Sequence, residues 1–310
     1  MQVSEEHRGG REFVDKAARS KARSLERRVN RLKNVRILER GLRNVVVDRA
    51  ISVADLQDAY RLVHDAFVEQ GFMAPSMSGL RVRAFEALPE MATFVAKVDG
   101  QVAAVMSALP DSPDMGLPAD SAFGEELDVL RTAGRSICEI TNDAVLPAHR
   151  NGLLFLELTR ACFAHAVMVG CTDMFACITP KHATFFGGFL QFTPWGSQRS
   201  YSQEIEDLVE GNRLDLQEVS YRAMKPEDLS EEEEFLREFY FTRNPYHDRV
   251  REWKDMAQAS FGDIEFLQGL FGGNGPLPGK WTPEQMAAVD RRWGGELLGR
   301  VMGPSESIYA

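Results

Sequence analysis

A chain of 310 residues that is 44% hydrophobic and 26% charged has an ordinary globular composition and is long enough for about two structural units. It has no apolar run near the ~20 residues that span a bilayer, and its polar, basic N-terminus is unlike a secretory signal peptide, so we expect a cytoplasmic protein. Residues 1–49 carry 14 Lys/Arg and 7 Asp/Glu, a net charge of +7, whereas the rest carries 22 and 39, a net charge of −17. A basic arm therefore precedes an acidic body.

The basic arm, residues 1–44, contains a predicted amphipathic helix from about Phe13 to Leu42. The segment has no proline, and its apolar residues recur at gaps of three and four, which places them on one stripe among the arginines. Such a helix can pack on its own domain, on a second copy of the chain, or on an anionic partner such as the inner membrane surface or an acidic carrier protein. Nucleic acid is disfavoured, because no aromatic residues interleave with the arginines.

Residues 45–223 have the pattern of an α/β domain. The predicted elements, in chain order, are a strand at Val45–Val47, a helix at Val53–Glu69, a hairpin around Asp99-Gly100, a helix at Phe123–Arg131, a strand at Ile137–Val145, a helix at Asn151–Val169, a strand at Met174–Ile178, a helix at Ala183–Leu190, and strands at Arg199–Ile205 and Leu214–Ala223. This order predicts a mixed central sheet flanked by helices, with antiparallel early strands and a strand–helix–strand crossover in the middle.

Residues 224–310 differ in character, with an acidic run, aromatic clusters and Gly/Pro-rich spacers. We predict a helical C-terminal extension that is loose from about Gly303 onward. The four cysteines show neither Cys-x-x-Cys spacing nor a matching His cluster, so we expect buried reduced thiols and no metal site. They are Cys138, Cys162, Cys171 and Cys177.

The central crossover is where functional geometry is expected, between the strands Ile137–Val145 and Met174–Ile178. A helix begins after the first of these strands, near Arg150-Asn-Gly152. Exposed amides at a helix N-terminus, with an adjacent arginine, suit a phosphate or a polar pantetheine arm.

Several short motifs occur in a shared order over about half of the chain. They are Ala59–Val63 with Gly71-Phe72, Gly116–Asp120, Glu125–Leu127, Leu130-Arg131 with Gly134-Arg135, Cys138–Thr141, Thr179–His182 with Phe185-Phe186, and Leu190–Phe192. Through these motifs residues 45–205 resemble the long-chain N-acyl amino acid synthase family of the GNAT acyltransferase superfamily, which is similar to the acyl-homoserine lactone synthases. The resemblance implies a GNAT-like fold for this domain.

The resemblance also implies a reaction. A long-chain fatty acyl thioester, on acyl carrier protein or coenzyme A, would be attacked by the amino group of an amino acid to give an N-acyl amino acid and a free thiol. No cofactor is implied, because the acyl-phosphopantetheine thioester is a co-substrate. The expected partners are acyl carrier protein and an amino acid acceptor, and the chemistry needs a proton acceptor and a stabilised oxyanion.

Glu139, Thr141 and His182 are the candidate catalytic residues. Glu139 matches a family Glu, and its apolar strand neighbours predict desolvation and a raised pKa, as a proton acceptor needs. Thr141 projects on the same strand face, since strand side chains alternate, and His182 matches a family His. The alternatives are a solvent-facing or ion-paired Glu, an ordinary β-forming Thr and a supporting His.

The donor and acceptor candidates form two further groups. The residues expected to meet the pantetheine arm are Val145, Arg150, Gly152 and Leu153. The loop with which GNAT enzymes usually bind the coenzyme A phosphates is degenerate here, because Leu153 and Leu154 follow Gly152, and this departure favours carrier protein over coenzyme A as the donor. An acceptor carboxylate would be held by Arg131, Arg135 or Arg81, or these arginines form surface salt bridges.

Three positions depart from the related patterns. Phe186 replaces a Tyr that protonates the leaving thiolate in many GNAT enzymes, and Gln191 replaces a usual Gly. Asn142 replaces the Arg typical of acyl-homoserine lactone synthases. Two alternatives therefore stay open: an acyl-homoserine lactone synthase-like enzyme, which Asn142 disfavours, and a degenerate domain that only binds acyl carrier or lipid, which Phe186 favours.

Overall fold

The computed structural model describes residues 22–202, 205–272 and 281–302. Its centre is a seven-stranded mixed sheet in the order β1-β2-β3-β4-β5-β7-β6, with helices on both faces. The strands are β1 (Val45–Arg49), β2 (Ala92–Val98), β3 (Gln101–Pro110), β4 (Ile137–Val145), β5 (Asp173–Ile178), β6 (Thr193–Ser202) and β7 (Ile205–Asp215).

Twelve α-helices are found in the described ranges. They are α1 (22–34), α2 (Ile37–Arg40), α3 (Val53–Glu69), α4 (Asp120–Thr132), α5 (Leu153–Met168), α6 (Ala183–Gly188), α7 (Leu216–Ala223), α8 (Glu231–Arg237), α9 (Arg249–Ser260), α10 (Ile264–Phe271), α11 (Pro283–Trp293) and α12 (Gly295–Met302), with a π-helical turn at Glu238–Thr242 after α8. Within these ranges, no helix combines the length and the apolar character that crossing a bilayer requires.

The two central strands run side by side and then separate. β4 and β5 pair in parallel only from Ile137 opposite Asp173 to Ile140 opposite Ala176, although both strands continue beyond this point. On its other side β4 pairs with β3 and is irregular, since Asn142 has a φ of 55° where the register with β3 shifts. The sheet therefore opens into a wedge beyond Ile140, and the wedge positions the candidate site.

Two hydrophobic cores lie on opposite faces of this sheet. Helix α5 packs on one face against β2 and β3, and α3 packs on the other against β3 and β4. The apolar stripe of the arm contributes to the first core, because Val29 and Leu32 are each 1% exposed. The amphipathic helix predicted for the arm is therefore docked on its own domain.

The C-terminal helices take part in both cores. Phe239 is fully buried in the core beneath α5, and Phe271 is fully buried in the core beneath α3. A buried ion pair on α5, Arg160 with Glu157, adds polar links to this region: Arg160 donates to the Phe239 carbonyl at 2.9 Å, and Tyr246 donates to Glu157 at 2.6 Å. The described part of the extension is helical and packs into the same cores as the domain, and its boundary at Met224 stays a prediction.

Most predicted elements coincide with observed ones, and three differ. The strand predicted for Arg199–Ile205 overlaps the end of β6 (Thr193–Ser202) and the first residue of β7, which begins at Ile205, and residues 203 and 204 lie outside the described residues. The helix Val53–Glu69 and the strand Ile137–Val145 are observed with their predicted bounds. The strand predicted for Leu214–Ala223 is wrong, because Asp215 caps a helix there by accepting from the amides of Gln217 and Glu218 at 3.0 Å. The arm helix is divided at Arg36, whose φ is 55°. Residues 13–21 of that prediction, and the tail from 303, lie outside the described residues.

Candidate functional site

A cavity of 130 Å³ occupies the opening between β4 and β5. We call it the wedge pocket. Both strands, α3, the segment after it, α6 and β6 contribute to its walls. Its lining residues include Phe67, Phe72, Arg81, Glu139, Ile140, Thr141, Asn142, Cys177, Thr179, His182, Phe186 and Tyr201.

Glu139 lies deep in this pocket and is 1% exposed. The amide of Ala119 donates a hydrogen bond to its Oε2 at 2.8 Å, and no ion pair to it is found among the described residues. Burial raises the pKa of Glu139 to about 8, and the Ala119 amide opposes this only in part. The carboxyl group is thus poised to exchange a proton near neutral to mildly alkaline pH.

Arg81 is a cation without a carboxylate partner among the described residues. Its Nη1 donates to Asn142 Oδ1 at 2.6 Å, and its guanidinium lies 4.7 Å from the ring of Phe67. Desolvation and the neighbouring charge of Arg83 lower the pKa of Arg81 to about 10. By contrast, Arg83 is paired with Glu86 at 2.7 Å. The wedge pocket therefore contains an unneutralised positive charge beside Glu139.

Asn142 explains how Arg81 is held. Its side chain is 2% exposed, accepts from Arg81 at its oxygen, and donates through Nδ2 to Glu86 at 3.0 Å. The left-handed backbone at this position is one that asparagine adopts more readily than most residues. The residue that departs from the lactone synthase pattern is thus a built part of the site.

Thr141 and His182 line the same pocket as Glu139, as the sequence predicted for a shared site. His182 Nδ1 lies 3.1 Å from the hydroxyl of Thr179. Burial, and to a smaller extent Lys181, lower the pKa of His182, so the imidazole is neutral at physiological pH. The structure brings the three candidate catalytic residues together, and their roles stay predictions.

The donor candidates lie together at the beginning of α5, outside the lining of the wedge pocket. Gly152 has a φ of 84° at the N-cap, and the amide of Leu153 donates to the Asn151 side chain at 3.0 Å. Arg150 donates to the Val145 carbonyl at 3.0 Å and forms an ion pair with Glu69. One of the first helical amides and the arginine are therefore already engaged.

Two of the three acceptor candidates lie elsewhere. Arg131 is paired with Asp111 at 2.6 Å and Asp120 at 2.7 Å, and Arg135 is paired with Asp173 at 2.5 Å. Neither lines the wedge pocket, whereas Arg81 does. Of the three arginines, only Arg81 is placed to meet a molecule bound beside Glu139.

An apolar cavity of 350 Å³ adjoins the wedge pocket, and Ile140 and Phe186 line both. Phe155 and Phe163 line this cavity, whereas Leu158 and Phe175 are fully buried in the cores. Part of its wall follows Ala223 and comes from the C-terminal extension. Those residues are Leu229, Glu233, Leu236, Arg237, Tyr240 and Phe241.

Sequence reasoning missed Tyr201, which lines the wedge pocket from the edge strand β6. Burial and the charge of Glu139 raise the pKa of Tyr201, so its phenol stays protonated. A tyrosine among the polar residues at the end of an edge strand was the local signal. The neighbourhood of Glu139 is set by the strand order, which places β6 outside β7.

Comparison with known proteins agrees with this architecture. Residues 58–209 match the family model described as N-acyl amino acid synthase FeeM. The solved structure of FeeM from uncultured soil microbes is 22% identical, with a TM-score of 0.50, over 56% of this chain and 91% of that one. This likeness in fold confirms the predicted GNAT-like sheet.

Other solved structures are more distant. The acyl-homoserine lactone synthase LasI is 15% identical over 56% of this chain and 89% of that one, with a TM-score of 0.43. A polyamine N-acetyltransferase of Drosophila melanogaster is 18% identical over 56% of this chain and 100% of that one, with a TM-score of 0.43. No curated protein matches significantly.

Proposed function

We propose that this protein moves a long-chain acyl group from an acyl carrier protein to the amino group of an amino acid. The premise is that residues 58–209 belong to the N-acyl amino acid synthase FeeM family and that the chain is an acyltransferase. One observation carries the proposal. The pocket that holds Glu139 and the unpaired Arg81 adjoins a large apolar cavity, with Ile140 and Phe186 lining both. An ionic acceptor and an apolar tail thus have separate, neighbouring places.

The positive charge of Arg81 in the wedge pocket favours an acceptor that has a carboxylate, as an amino acid does. A carboxylate that enters would pair with Arg81, the pocket-lining guanidinium that Asn142 orients. In this partly desolvated place an arginine–carboxylate contact is stronger than at the surface, and its geometry directs the attached amino group. Arg81 is therefore the residue that we assign to the acceptor carboxylate.

The reaction follows from the neighbouring groups. Glu139 accepts a proton from the acceptor amine, the amine nitrogen bonds to the thioester carbonyl carbon, and the carbon–sulfur bond breaks as the tetrahedral intermediate collapses. The leaving thiolate takes a proton from the phenol of Tyr201, which lies in the same pocket, and the proton that Glu139 accepted then returns to the phenolate, directly or through water. The products are an N-acyl amino acid and the free thiol of the carrier. Tyr201 would thus take the part that Phe186 cannot.

The apolar cavity supports a long acyl chain. Phe155, Phe163 and Leu236 line it, and its charged residues include Arg222 and Glu233, which pair with each other. Burying an acyl chain there removes apolar surface from water, at about 0.8 kcal/mol for each methylene group. A short acetyl group would leave most of the 350 Å³ unused.

Carrier protein is favoured over coenzyme A as the donor by the beginning of α5. A pyrophosphate needs several free amides and a free cation, but the Leu153 amide is capped by Asn151 and Arg150 is paired with Glu69. A carrier protein presents only a phosphopantetheine arm and has less need of this cradle.

The test is product formation by the purified protein. Acyl carrier protein loaded with a long-chain acyl group would be incubated with a mixture of amino acids, with free thiol measured optically and N-acyl amino acids by mass spectrometry. We expect product from the wild type and from Glu125→Gln, an exposed glutamate on α4, and loss of turnover in Glu139→Gln with retained carrier binding. Carrier binding without product from the wild type, with every amino acid, would favour the binding-only alternative.

A further inference from the structure

We propose that the basic arm, together with the groove between it and the beginning of α5, is the surface on which an acidic acyl-carrying protein docks. This inference rests on the proposed function, and it names a recognition surface for the donor. Residues 22–43 of the arm lie outside the region that matches the family, residues 58–209, whereas the beginning of α5 lies inside it.

The first observation is a surplus of unpaired positive charge. Residues 22–43 contain seven arginines and one lysine against two glutamates. In the described part of the chain none of these seven arginines forms an ion pair, and only Lys33 is paired, with Glu231. By contrast, several arginines of the acidic body are paired with carboxylates, among them Arg131, Arg199 and Arg292. The arm keeps its charge free for a partner.

The second observation is the arrangement of that charge on α1. Arg23, Arg27 and Arg31 are exposed and four residues apart, so they form one ridge of neighbouring like charges. Like charges at this spacing repel one another and destabilise a helix. An anionic partner laid along the ridge relieves this repulsion, whereas solvent relieves it only by screening.

The third observation separates a protein partner from a membrane. A helix that lies on a bilayer buries an apolar face in the lipid, but the apolar face of the arm is already used, with Val29 and Leu32 each 1% exposed and Ile37 2% exposed. Residues 22–43 of the arm therefore present a charged face to solvent, while their apolar stripe is packed against the domain. Such a face suits electrostatic docking of an acidic protein.

The fourth observation is position. A groove of 560 Å³ runs between the arm and the beginning of α5, lined by Arg40 and Arg43 on one side and by His149, Asn151 and Leu153 on the other. Arg40 and Arg43 are exposed. The groove thus adjoins the residues expected to meet the pantetheine arm, where a carrier protein that feeds its thioester into the wedge must sit.

The arm also reaches the wall shared by the two cavities. The guanidinium of Arg28 lies 4.5 Å from the ring of Phe185, whose neighbour Phe186 lines both cavities. The aromatic rings of Phe185 and Phe186 meet edge to face at 5.9 Å. A protein docked on the arm would therefore stand close to the wall that the two cavities share.

The test compares donors that have and lack the carrier protein. Two variants are made in the full chain, Arg27→Glu/Arg31→Glu and Arg40→Glu/Arg43→Glu, with Arg251→Glu/Lys254→Glu on α9 as a matched control of exposed cations. Turnover is measured with acyl carrier protein and with a small acyl-pantetheine thioester, and carrier binding is measured separately without acyl transfer. Circular dichroism checks that each variant folds.

We expect the arm variants to raise KM for acyl carrier protein by about tenfold or more and to flatten its salt dependence, because electrostatic steering is lost. The kcat, the turnover of the small donor and the behaviour of the α9 control should be unchanged. An unchanged KM and an unchanged carrier affinity in both arm variants would overturn the docking surface. The docking surface would also be overturned if the wild type binds phosphatidylglycerol vesicles in a salt-dependent way and both arm variants lose this binding while they keep the wild-type affinity for the carrier.

Failure of the proposed function would look different. A wild type that turns over neither donor rejects the proposed reaction, and the separate carrier-binding measurement then still decides whether the arm is a docking surface.

Discussion

Nη1 of Arg81 lies 2.6 Å from Oδ1 of Asn142, so a guanidinium without a carboxylate partner in the described ranges is held in a fixed direction within the wedge pocket. The pairing matters because it orients the positive charge without neutralising it. Asn142 can serve this purpose where an aspartate could not, since a carboxylate at the same place would neutralise Arg81 directly.

Replacing this arginine should weaken acceptor binding selectively. We expect Arg81→Gln to raise KM for the amino acid about 10- to 100-fold, since a hydrogen-bonded charge contact contributes roughly 1.5–3 kcal/mol. The measurement is KM for an amino acid and for its carboxamide, with Arg61→Gln on the exposed side of α3 as the control. The variant should lose the preference for the carboxylate, and a preserved preference would contradict the assignment.

The activity should depend on pH through Glu139. Its pKa is raised to about 8 by burial, and a proton acceptor works only when deprotonated, so kcat should rise with pH and level off above about 8. Acceptors whose amines differ in pKa separate this group from the nucleophile. If the rise of kcat stays near pH 8 for all such acceptors, the titrating group belongs to the enzyme. If the rise moves with the pKa of the amine, the titrating group is the acceptor.

The same carboxyl group should make the fold less stable at high pH. Because the pKa of Glu139 is higher in the folded state than in the unfolded chain, its neutral form is favoured by folding, and stability is fully present below pH ~4.3 and falls as the pH rises toward about 8. Glu139→Gln removes this dependence. Relative to wild type, the variant should therefore have a higher free energy of unfolding at pH 9 than at pH 4. The two differences from wild type should themselves differ by up to a few kcal/mol.

Chemical denaturation at the two pH values measures that difference, and Glu125→Gln is again the control, since Glu125 is exposed. An equal effect of Glu139→Gln at both pH values would mean that Glu139 is ionised in the folded state without cost. Such a result would also remove the physical basis for its role as a proton acceptor with a raised pKa.

Tyr201 should contribute to departure of the thiol. We expect Tyr201→Phe to lower kcat by about 10- to 100-fold, less than general acids often contribute, because a thiolate is a good leaving group without protonation. KM for the acceptor should change little, and single-turnover measurements isolate this step. A kcat that is unchanged would assign the proton to solvent, and Tyr221→Phe, at an exposed tyrosine on α7, provides the matched control.

How much of this site was predictable can be seen from particular residues. Glu139 could be identified because its strand neighbours Cys138 and Ile140 are apolar, a local pattern that indicates burial. Tyr201 could not, because it reaches the pocket through the strand order, in which β7 lies between β5 and β6. Periodicity describes each strand but contains little information about which strand becomes its neighbour.

The acceptor arginines show the same limit for charge. The sequence does not distinguish among the three acceptor candidates Arg131, Arg135 and Arg81. In the structure Arg131 and Arg135 are paired with aspartates, and the partner of Arg135, Asp173, lies 38 residues away in the chain. Which cation stays unpaired depends on distant contacts. Asp215 similarly ends β7 and caps α7, which is why a strand predicted for Leu214–Ala223 became a helix.

The apolar cavity should set the preferred length of the acyl chain, and its wall can be altered from α7. Val219 lines the cavity and is only partly buried, so Val219→Trp would fill space at a cost to stability of about 1–3 kcal/mol or less. We expect the variant to favour shorter acyl chains when it competes for carrier proteins loaded with chains of different length. Mass spectrometry of the N-acyl products measures the distribution.

Val167→Trp is the matched control, because Val167 on α5 is 40% exposed and lies outside the cavity lining. Its product distribution should equal that of the wild type. If Val219→Trp folds and keeps the wild-type distribution, the acyl chain lies elsewhere. If instead Val219→Trp loses long-chain products and keeps short-chain turnover, the cavity wall selects the acyl length. Part of that wall lies after residue 209, so the protein would owe its preference for acyl length to a segment outside the family match at residues 58–209.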